Sequence, residues 1–314
     1  MKTAVCGVWH VHAPDYTGHA LKLGCEVIGF YEPDDALAEN FRKQFDLPRF
    51  ATLEDLLKSE AEGVIVCTAT DEHPEYMEKL AAAGKHIFTE KVLALTSDDC
   101  DRIAQAVEKN GVQFVISLPH KTFAPHRALK AVVDSGELGK INYMRFRNCH
   151  SGSTREWLPV HFYNEAQCGG GAMIDLGAHG MYLTHWILGQ PFSASSAFTV
   201  AHPGGKNVDS VEDNAVTVMA MAGGAIAVNE TGFVSEHSPL VLEVSGEAGY
   251  VRMEGERVVK CTIQTEGKVV EVPLGEALPL PIEQFLTGNV LPGFGMEEAK
   301  ALTKMMEMAY AGKQ

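Results

Sequence analysis

Short apolar runs alternate with amphipathic stretches through the first 120 residues. Runs of strand length fall at Thr3–Trp9, Glu26–Tyr31, Gly63–Thr68, His86–Thr89 and Val112–Leu118. Between them, Pro14–Leu23, Pro33–Phe45, Pro74–Ala83 and Ser97–Asn110 carry helix signals. A Pro opens three of them, Ser97 or Asp98 caps the fourth, and Gly24, Gly84 and Gly111 stand where helices end. Near-continuous apolar strands alternating with helices predict a parallel sheet covered on both faces. Right-handed crossovers make it a doubly wound, dinucleotide-binding type of domain.

The pattern changes near residue 120. Pro125–Ser135 reads as a helix ended by Gly136, Lys140–Cys149 as a strand, and Ala172–Leu188 as a long apolar helix. Strand runs follow at Ala215–Met221, Ala225–Thr231, Val241–Ser245, Tyr250–Met253, Val258–Thr265 and Val269–Val272. Short Gly-containing turns between them predict hairpins and a largely antiparallel sheet. Met296–Ala311 closes the chain as an amphipathic helix. The expected fold is α/β: a doubly wound domain over 1–120, then an α+β domain with a large, mostly antiparallel open sheet over 121–314.

Composition narrows the function classes. The 314 residues include 26 Lys and Arg against 41 Asp and Glu, a formal net charge of −15. No basic stripe offsets this, so neither nucleic acid nor a membrane surface is expected as a partner. No apolar stretch approaches the roughly 20 residues of a spanning helix. Seven Cys without a CxxC pair argue against a disulfide framework and fit a reducing, cytoplasmic setting.

Candidate chemistry lies at the ends of strands. The first strand runs into Gly7-Val8-Trp9-His10-Val11-His12 and then a Pro-started helix, the strand–turn–helix that brings amides to a pyrophosphate. Of the usual glycines only Gly7 is present, and a plain tight turn fits the stretch equally well. Glu32 ends the second strand, where an acid accepts hydrogen bonds from an adenosine ribose; the alternative is a helix N-terminal acid. No Arg or Lys follows before Arg42, which favours NAD over NADP. Glu90-Lys91 stands at the carboxyl end of its strand, where a Lys can donate to a substrate oxygen; the alternative is a solvated Glu-Lys pair. Asp175 and His179, four apart after Gly169-Gly170-Gly171, share a helix face as a carboxylate–imidazole pair suited to a general base; the alternative is a hydrogen-bonded core His. A metal site built from Asp175, His179 and His185 is not expected, because no HExxH or paired Cys/His spacing appears.

With these pieces in place the chain resembles the glucose–fructose oxidoreductase / inositol 2-dehydrogenase (Gfo/Idh/MocA) family over nearly its whole length. The resemblance rests on Gly63–Ala94, where Glu90-Lys91-Val92 stands for the family's Glu-Lys-Pro, on Gly169–Gly189, on Val211–Ser235 and on Val244–Met253. It implies NAD(P)-linked hydride transfer to or from a sugar, a polyol or a related hydroxy compound. It implies that Lys91 contacts the reacting oxygen, that Asp175 and His179 complete the catalytic group, and that Thr68, Ala69 and His73 line the nicotinamide side. Gly7, Trp9, His10, Val11, Glu32 and Glu90 complete the expected cofactor-binding set, and Lys121 falls near the family's domain-junction basic residue. A homodimer or homotetramer through the second sheet is implied as well. The departures are the reduced glycine fingerprint, Val92 for Pro, and Tyr182 where the family often has Asp. They leave room for a catalytically inactive dinucleotide-binding regulator; a metal-dependent hydrolase or lyase is the remaining alternative. Trp9, His10, His12, His150, Trp157, His161 and Tyr163 are also candidates for an aromatic pocket stacking on a sugar face.

Overall fold

The computed structural model describes residues 1–312, which pack as two compact units. The first comprises Met1–Ser117 and Pro279–Thr303, the second Leu118–Leu278 and the tail from Lys304.

In the first unit, β1 (Lys2–Cys6), β2 (Glu26–Tyr31), β3 (Gly63–Val66), β4 (His86–Thr89) and β5 (Phe114–Ile116) form one sheet in the order β2-β1-β3-β4-β5. Every pairing in it is parallel. The order reverses at β1, which creates a crevice beyond the carboxyl ends of β1 and β3, the usual ligand position in such sheets. The connecting helices are α1 (Ala13–Lys22), α2 (Asp35–Phe45), α3 (Leu53–Lys58), α4 (His73–Ala82) and α5 (Ser97–Asn110). The strands are apolar because they are buried on both faces; Val64, Ile65, Val66, Ile87 and Phe88 have no exposed surface.

Caps set the helix starts more finely than apolar periodicity does. Helix α5 is capped by Thr96, one or two residues before the expected Ser97 or Asp98, because the Thr96 hydroxyl accepts the Asp99 N–H at 3.1 Å. Helix α2 starts after Asp34, whose carboxylate accepts two backbone N–H groups. Helix α3 is held by a reciprocal Thr52–Asp55 capping box. Six residues give too little periodicity to announce it.

The second unit holds α6 (Ala124–Asp134), α7 (Glu165–Cys168), α8 (Ala172–Asp175), α9 (Gly177–Leu188) and an eight-stranded sheet. Its strands are β6 (Ile141–Cys149), β7 (Pro191–Thr199), β8 (Asn214–Met221), β9 (Ile226–Gly232), β10 (Val241–Gly246), β11 (Gly249–Glu254), β12 (Arg257–Thr262) and β13 (Val270–Glu271). Their order is β13-β12-β11-β10-β6-β9-β8-β7, antiparallel throughout except for β6 beside β9. Strand β7 has no apolar alternation to announce it: its run Pro-Phe-Ser-Ala-Ser-Ser-Ala-Phe-Thr is an edge strand of small, largely exposed residues.

Two expectations change. The long helix over Ala172–Leu188 is two helices, broken at Leu176. At the break the Gly177 carbonyl accepts from Asn229 Nδ2 at 2.7 Å, and His179 N–H turns back to the Leu176 carbonyl at 3.2 Å. Residues 279–303, placed by sequence in the domain 121–314, pack with the first unit instead. Helix α10 (Pro281–Thr287) buries Ile282, Phe285 and Leu286, and the Phe285 ring lies 5.9 Å from that of Phe88 on β4. Beyond it the Phe294 carbonyl accepts the Ile116 N–H at 2.9 Å. Helix α11 (Met296–Ala311) belongs to the first unit as far as Thr303 and to the second from Lys304.

Candidate functional site

In the first unit the candidate residues gather along the carboxyl edge of the parallel sheet. Gly7 leaves β1 with φ +77°, and a Cβ there would lie 2.4 Å from Thr68 Cγ2 and 2.7 Å from the Thr68 nitrogen. Only glycine fits that close approach of two strand ends. The next amide, Val8 N–H, donates to Glu32 Oε2 at 2.8 Å, while Asp34 N–H donates to Oε1 at 2.9 Å. Glu32 is buried, and burial pushes its carboxyl up against the pull of these amides. It therefore ties the β1 turn to the end of β2, and each oxygen already serves a backbone group. Arg49, which sequence order does not bring near, donates to the Glu32 carbonyl through Nε and Nη2 and to Asp35 through Nη1.

The turn continues through Trp9, His10, exposed Val11 and His12 into α1. His10 N–H donates to the Cys67 carbonyl at 3.0 Å, pinning the turn to the end of β3. The His12 N–H points to His10 Nδ1 at 3.2 Å, and the two rings lie 4.9 Å apart. Across from them, just beyond β4, sits Glu90. Its Oε1 lies 2.8 Å from His12 Nδ1 and accepts the Tyr16 hydroxyl; its Oε2 accepts the Lys91 N–H at 3.0 Å. Tyr16 in turn lies 2.8 Å from Ser117 Oγ. Burial works to raise the Glu90 carboxyl, but the His10 and His12 rings and the Lys91 ammonium outweigh it and hold it well below the usual carboxylate range. Glu90 and Lys91 are both buried, at 2% and 7% exposure, and the Lys91–Val92 peptide is cis.

Thr68, Ala69 and His73 are placed beside this edge, all buried. His73 begins α4, and its Nδ1 lies 2.9 Å from the Leu93 carbonyl, so it holds the loop after β4; burial lowers its imidazole. The sequence singles out His12 in the turn but not Tyr16, whose i, i+4 spacing from His12 at the start of α1 is the available signal.

In the second unit, α8 and α9 carry Asp175 and His179. His179 meets Tyr182, whose hydroxyl is 2.8 Å from Nδ1, and His120, whose ring stacks on it at 4.3 Å and 8°. The same Tyr182 oxygen accepts the His120 N–H at 3.1 Å. Asp175 acts electrostatically on His150, favouring its charged form, while burial, the larger influence, lowers that imidazole. The glycines before α8 permit close contact: a Cβ on Gly171 would lie 2.0 Å from the Glu212 carbonyl oxygen. The Glu212 carboxylate accepts the N–H groups of Gly171 and Met173 and the hydroxyl of Tyr310, capping α8. Lys121 is buried with its ammonium 5.8 Å from the Trp186 ring centre. The seven candidate aromatic-pocket residues divide between the units. Trp9, His10 and His12 are in the first, and in the second His150 packs between Trp157 at 4.6 Å and Phe233 at 4.8 Å.

Among the described residues, one group of three metal-ligating side chains comes together, and it is His10, His12 and Glu90 rather than Asp175, His179 and His185.

Comparison with known proteins fits both halves. The family model "Oxidoreductase family, NAD-binding Rossmann fold" matches residues 1–118, and "GFO/IDH/MocA C-terminal domain" matches residues 126–252. The chain belongs to the Gfo/Idh/MocA family. It is 25% identical over 194 residues to the 1,5-anhydro-D-fructose reductase of Ensifer adhaerens, covering 60% of this chain and 56% of that protein. It is 28% identical over 170 residues to the myo-inositol 2-dehydrogenase of Thermotoga maritima, covering 53% and 48%. The chain thus spans about half the length of these Gfo/Idh/MocA relatives. The fold also matches the WlbA dehydrogenase of Bordetella pertussis, solved with NADH and UDP-GlcNAcA. That likeness has a TM-score of 0.79 and 18% identity, and covers 99% of this chain and 95% of the other.

Proposed function

We propose that this Gfo/Idh/MocA protein is an NAD-dependent dehydrogenase or reductase, moving a hydride between nicotinamide and a sugar, a polyol such as an inositol, or a related hydroxy compound. The observation that carries this reading is the edge just described: Glu90-Lys91 at the carboxyl end of β4, beside the β1 turn at the point where strand order reverses. Gly7 packs the turn against Thr68 with no room for a side chain, which supports the tight strand–turn–helix expected of a pyrophosphate cradle. Gly7, Trp9, His10 and Val11 are the proposed pyrophosphate side, Glu32 the ribose side, and Thr68, Ala69, His73 and Glu90 the walls towards nicotinamide.

The cofactor supplies the hydride chemistry. The protein supplies orientation and proton handling. Lys91 donates a hydrogen bond or proton to the reacting oxygen. His179 takes the hydroxyl proton when an alcohol is oxidised, with Asp175 as the acid that polarises it or binds a substrate hydroxyl. NAD is favoured over NADP because a carboxylate ends β2 and Arg49 beside it is already paired with Asp35.

The second unit is the proposed substrate-binding and self-associating part. Val216, Val218 and Ile226 leave one face of its sheet exposed, which supports a homodimer or homotetramer through that face. No helix among the described residues is long and apolar enough to cross a membrane. All seven cysteines are free thiols, which supports a reducing, cytoplasmic setting. The test is a panel of polyols and aldoses with NAD and NADP, followed at the absorbance of reduced nicotinamide. Turnover with NAD is expected; nucleotide binding without turnover on any member would contradict the enzymatic reading.

A further inference from the structure

The β1 turn carries chemistry that dinucleotide binding does not require. Turns of this kind use small residues so that backbone can approach phosphates, yet here two imidazoles occupy it and face a buried carboxylate. One ligand atom from each of His10, His12 and Glu90 falls within 4.8 Å of the others. The groups come from two elements far apart in sequence, the turn before α1 and the end of β4, and all three lie in the first unit. From this geometry we infer a divalent transition-metal site, of zinc type, formed by His10, His12 and Glu90.

The donor set is the first argument. Two imidazoles and one carboxylate are nitrogen and oxygen ligands suited to Zn²⁺ and its neighbours, and too few in oxygens for Ca²⁺ or Mg²⁺. Spacing is the second. Metal–ligand bonds of about 2.0–2.2 Å put the ligands of a tetrahedral ion roughly 3.4 Å apart. The 2.8 Å between His12 Nδ1 and Glu90 Oε1, and the 4.8 Å within which all three ligand atoms lie, are compatible with that value. Support behind the ligands is the third. The Tyr16 hydroxyl, itself against Ser117, bonds Glu90 Oε1, and the Lys91 N–H bonds Oε2. Such outer partners orient a ligating carboxylate and tune its metal. Access is the fourth: the His12 side chain is 46% exposed, so an ion has a way in, while Glu90 is closed off behind it.

Three protein ligands leave a tetrahedral ion one open position. An ion here clamps the first turn to the end of β4, next to Lys91, and offers that position to an oxygen ligand. Hydrogen bonding alone, with His12 against Glu90, is the competing arrangement, and an experiment separates the two.

Chelator-stripped full-length protein is dialysed against Zn²⁺ without nucleotide, and bound metal is measured by mass spectrometry and by competition with a chromophoric chelator. One Zn²⁺ per chain is expected. His12→Gln, a half-exposed position where folding is little at risk, should lose at least about tenfold in affinity, as should Glu90→Gln. His237→Gln, at an exposed surface His, should change nothing and so reports adventitious binding. Co²⁺ should give the visible absorption of a four- or five-coordinate site in the wild type and not in His12→Gln. Absence of stoichiometric metal in the wild type, or equal affinity in His12→Gln, overturns the site. Because nucleotide is absent, either result leaves the proposed dehydrogenase activity to its own test.

Discussion

His179 Nδ1 lies 2.8 Å from the Tyr182 hydroxyl, one helical turn along α9. Tyr182 is buried and its oxygen also accepts the His120 N–H, so the phenol is fixed before it touches the imidazole. The hydrogen bond holds the imidazole through its Nδ1 edge. The imidazole here is oriented by a phenol on its own helix.

Tyr182→Phe removes that bond while keeping the ring. A hydrogen bond of this kind is worth about 1 kcal/mol, so kcat on the preferred substrate should fall roughly five- to tenfold. As a positioning residue, Tyr182 should leave NAD affinity unchanged and shift the pH profile of kcat. Steady-state kinetics with nucleotide titration checks the split. An unchanged kcat and profile would remove Tyr182 from the account.

Gly7→Ala should be costly. The new Cβ would meet Thr68 side chain and backbone at 2.4–2.8 Å, on a residue whose φ is +77°. A left-handed alanine alone costs roughly 1–2 kcal/mol, and backbone must shift to relieve the contact. A loss of at least about 2 kcal/mol in urea unfolding, together with weaker NAD binding, is the expected result. A variant as stable as the wild type would show that the turn has room.

Stability should fall with acid through His126. Both its ring nitrogens are buried without a hydrogen-bond partner, and burial lowers the imidazole from 6.5 to about 4. The folded state therefore favours the neutral ring. The stability this contributes is complete above pH 6.5 and is lost as the pH falls towards 4, by about 3 kcal/mol in total. Urea midpoints at pH 7 and pH 4.5 should differ more for the wild type than for His126→Leu. Equal pH dependence in both would assign the acid lability elsewhere.

Glu212 should behave as a buried cap. Its carboxylate serves two amides of α8 and the Tyr310 hydroxyl. Glu212→Ala should destabilise by about 2–3 kcal/mol, since three buried donors lose their acceptor. Glu212→Gln keeps an acceptor oxygen and should cost less. Thermal melts of the two variants give the comparison, and equal losses would contradict the capping role.

Much of the fold is legible where burial imposes a period. The apolar runs of β2 and β4 have the expected bounds because both faces of the strands are covered. Strand β7 is not legible, since an exposed edge of Ser and Ala needs no apolar alternation. The return of α10 to the first unit is not legible either, because Ile282 and Phe285 read as an apolar pair without saying which sheet they cover. At the candidate site, Gly7, Glu32, Glu90 and Lys91 stand out as strand ends. What they do to one another does not. That Glu32 spends its oxygens on Val8 and Asp34, or that His12 and Tyr16 meet Glu90 from the start of α1, depends on the crossover that lays β1 between β2 and β3. The break at Leu176, beside which Asn229 on β9 donates to the Gly177 carbonyl, is not legible either.

The most direct test of the central claim is hydride transfer by Lys91→Ala, with NAD binding measured on the same preparation. Nicotinamide reduction on the preferred polyol should drop by about a thousandfold, while NAD affinity stays within a few-fold of the wild type. Undiminished turnover in Lys91→Ala would contradict the assignment of this edge as the reacting centre.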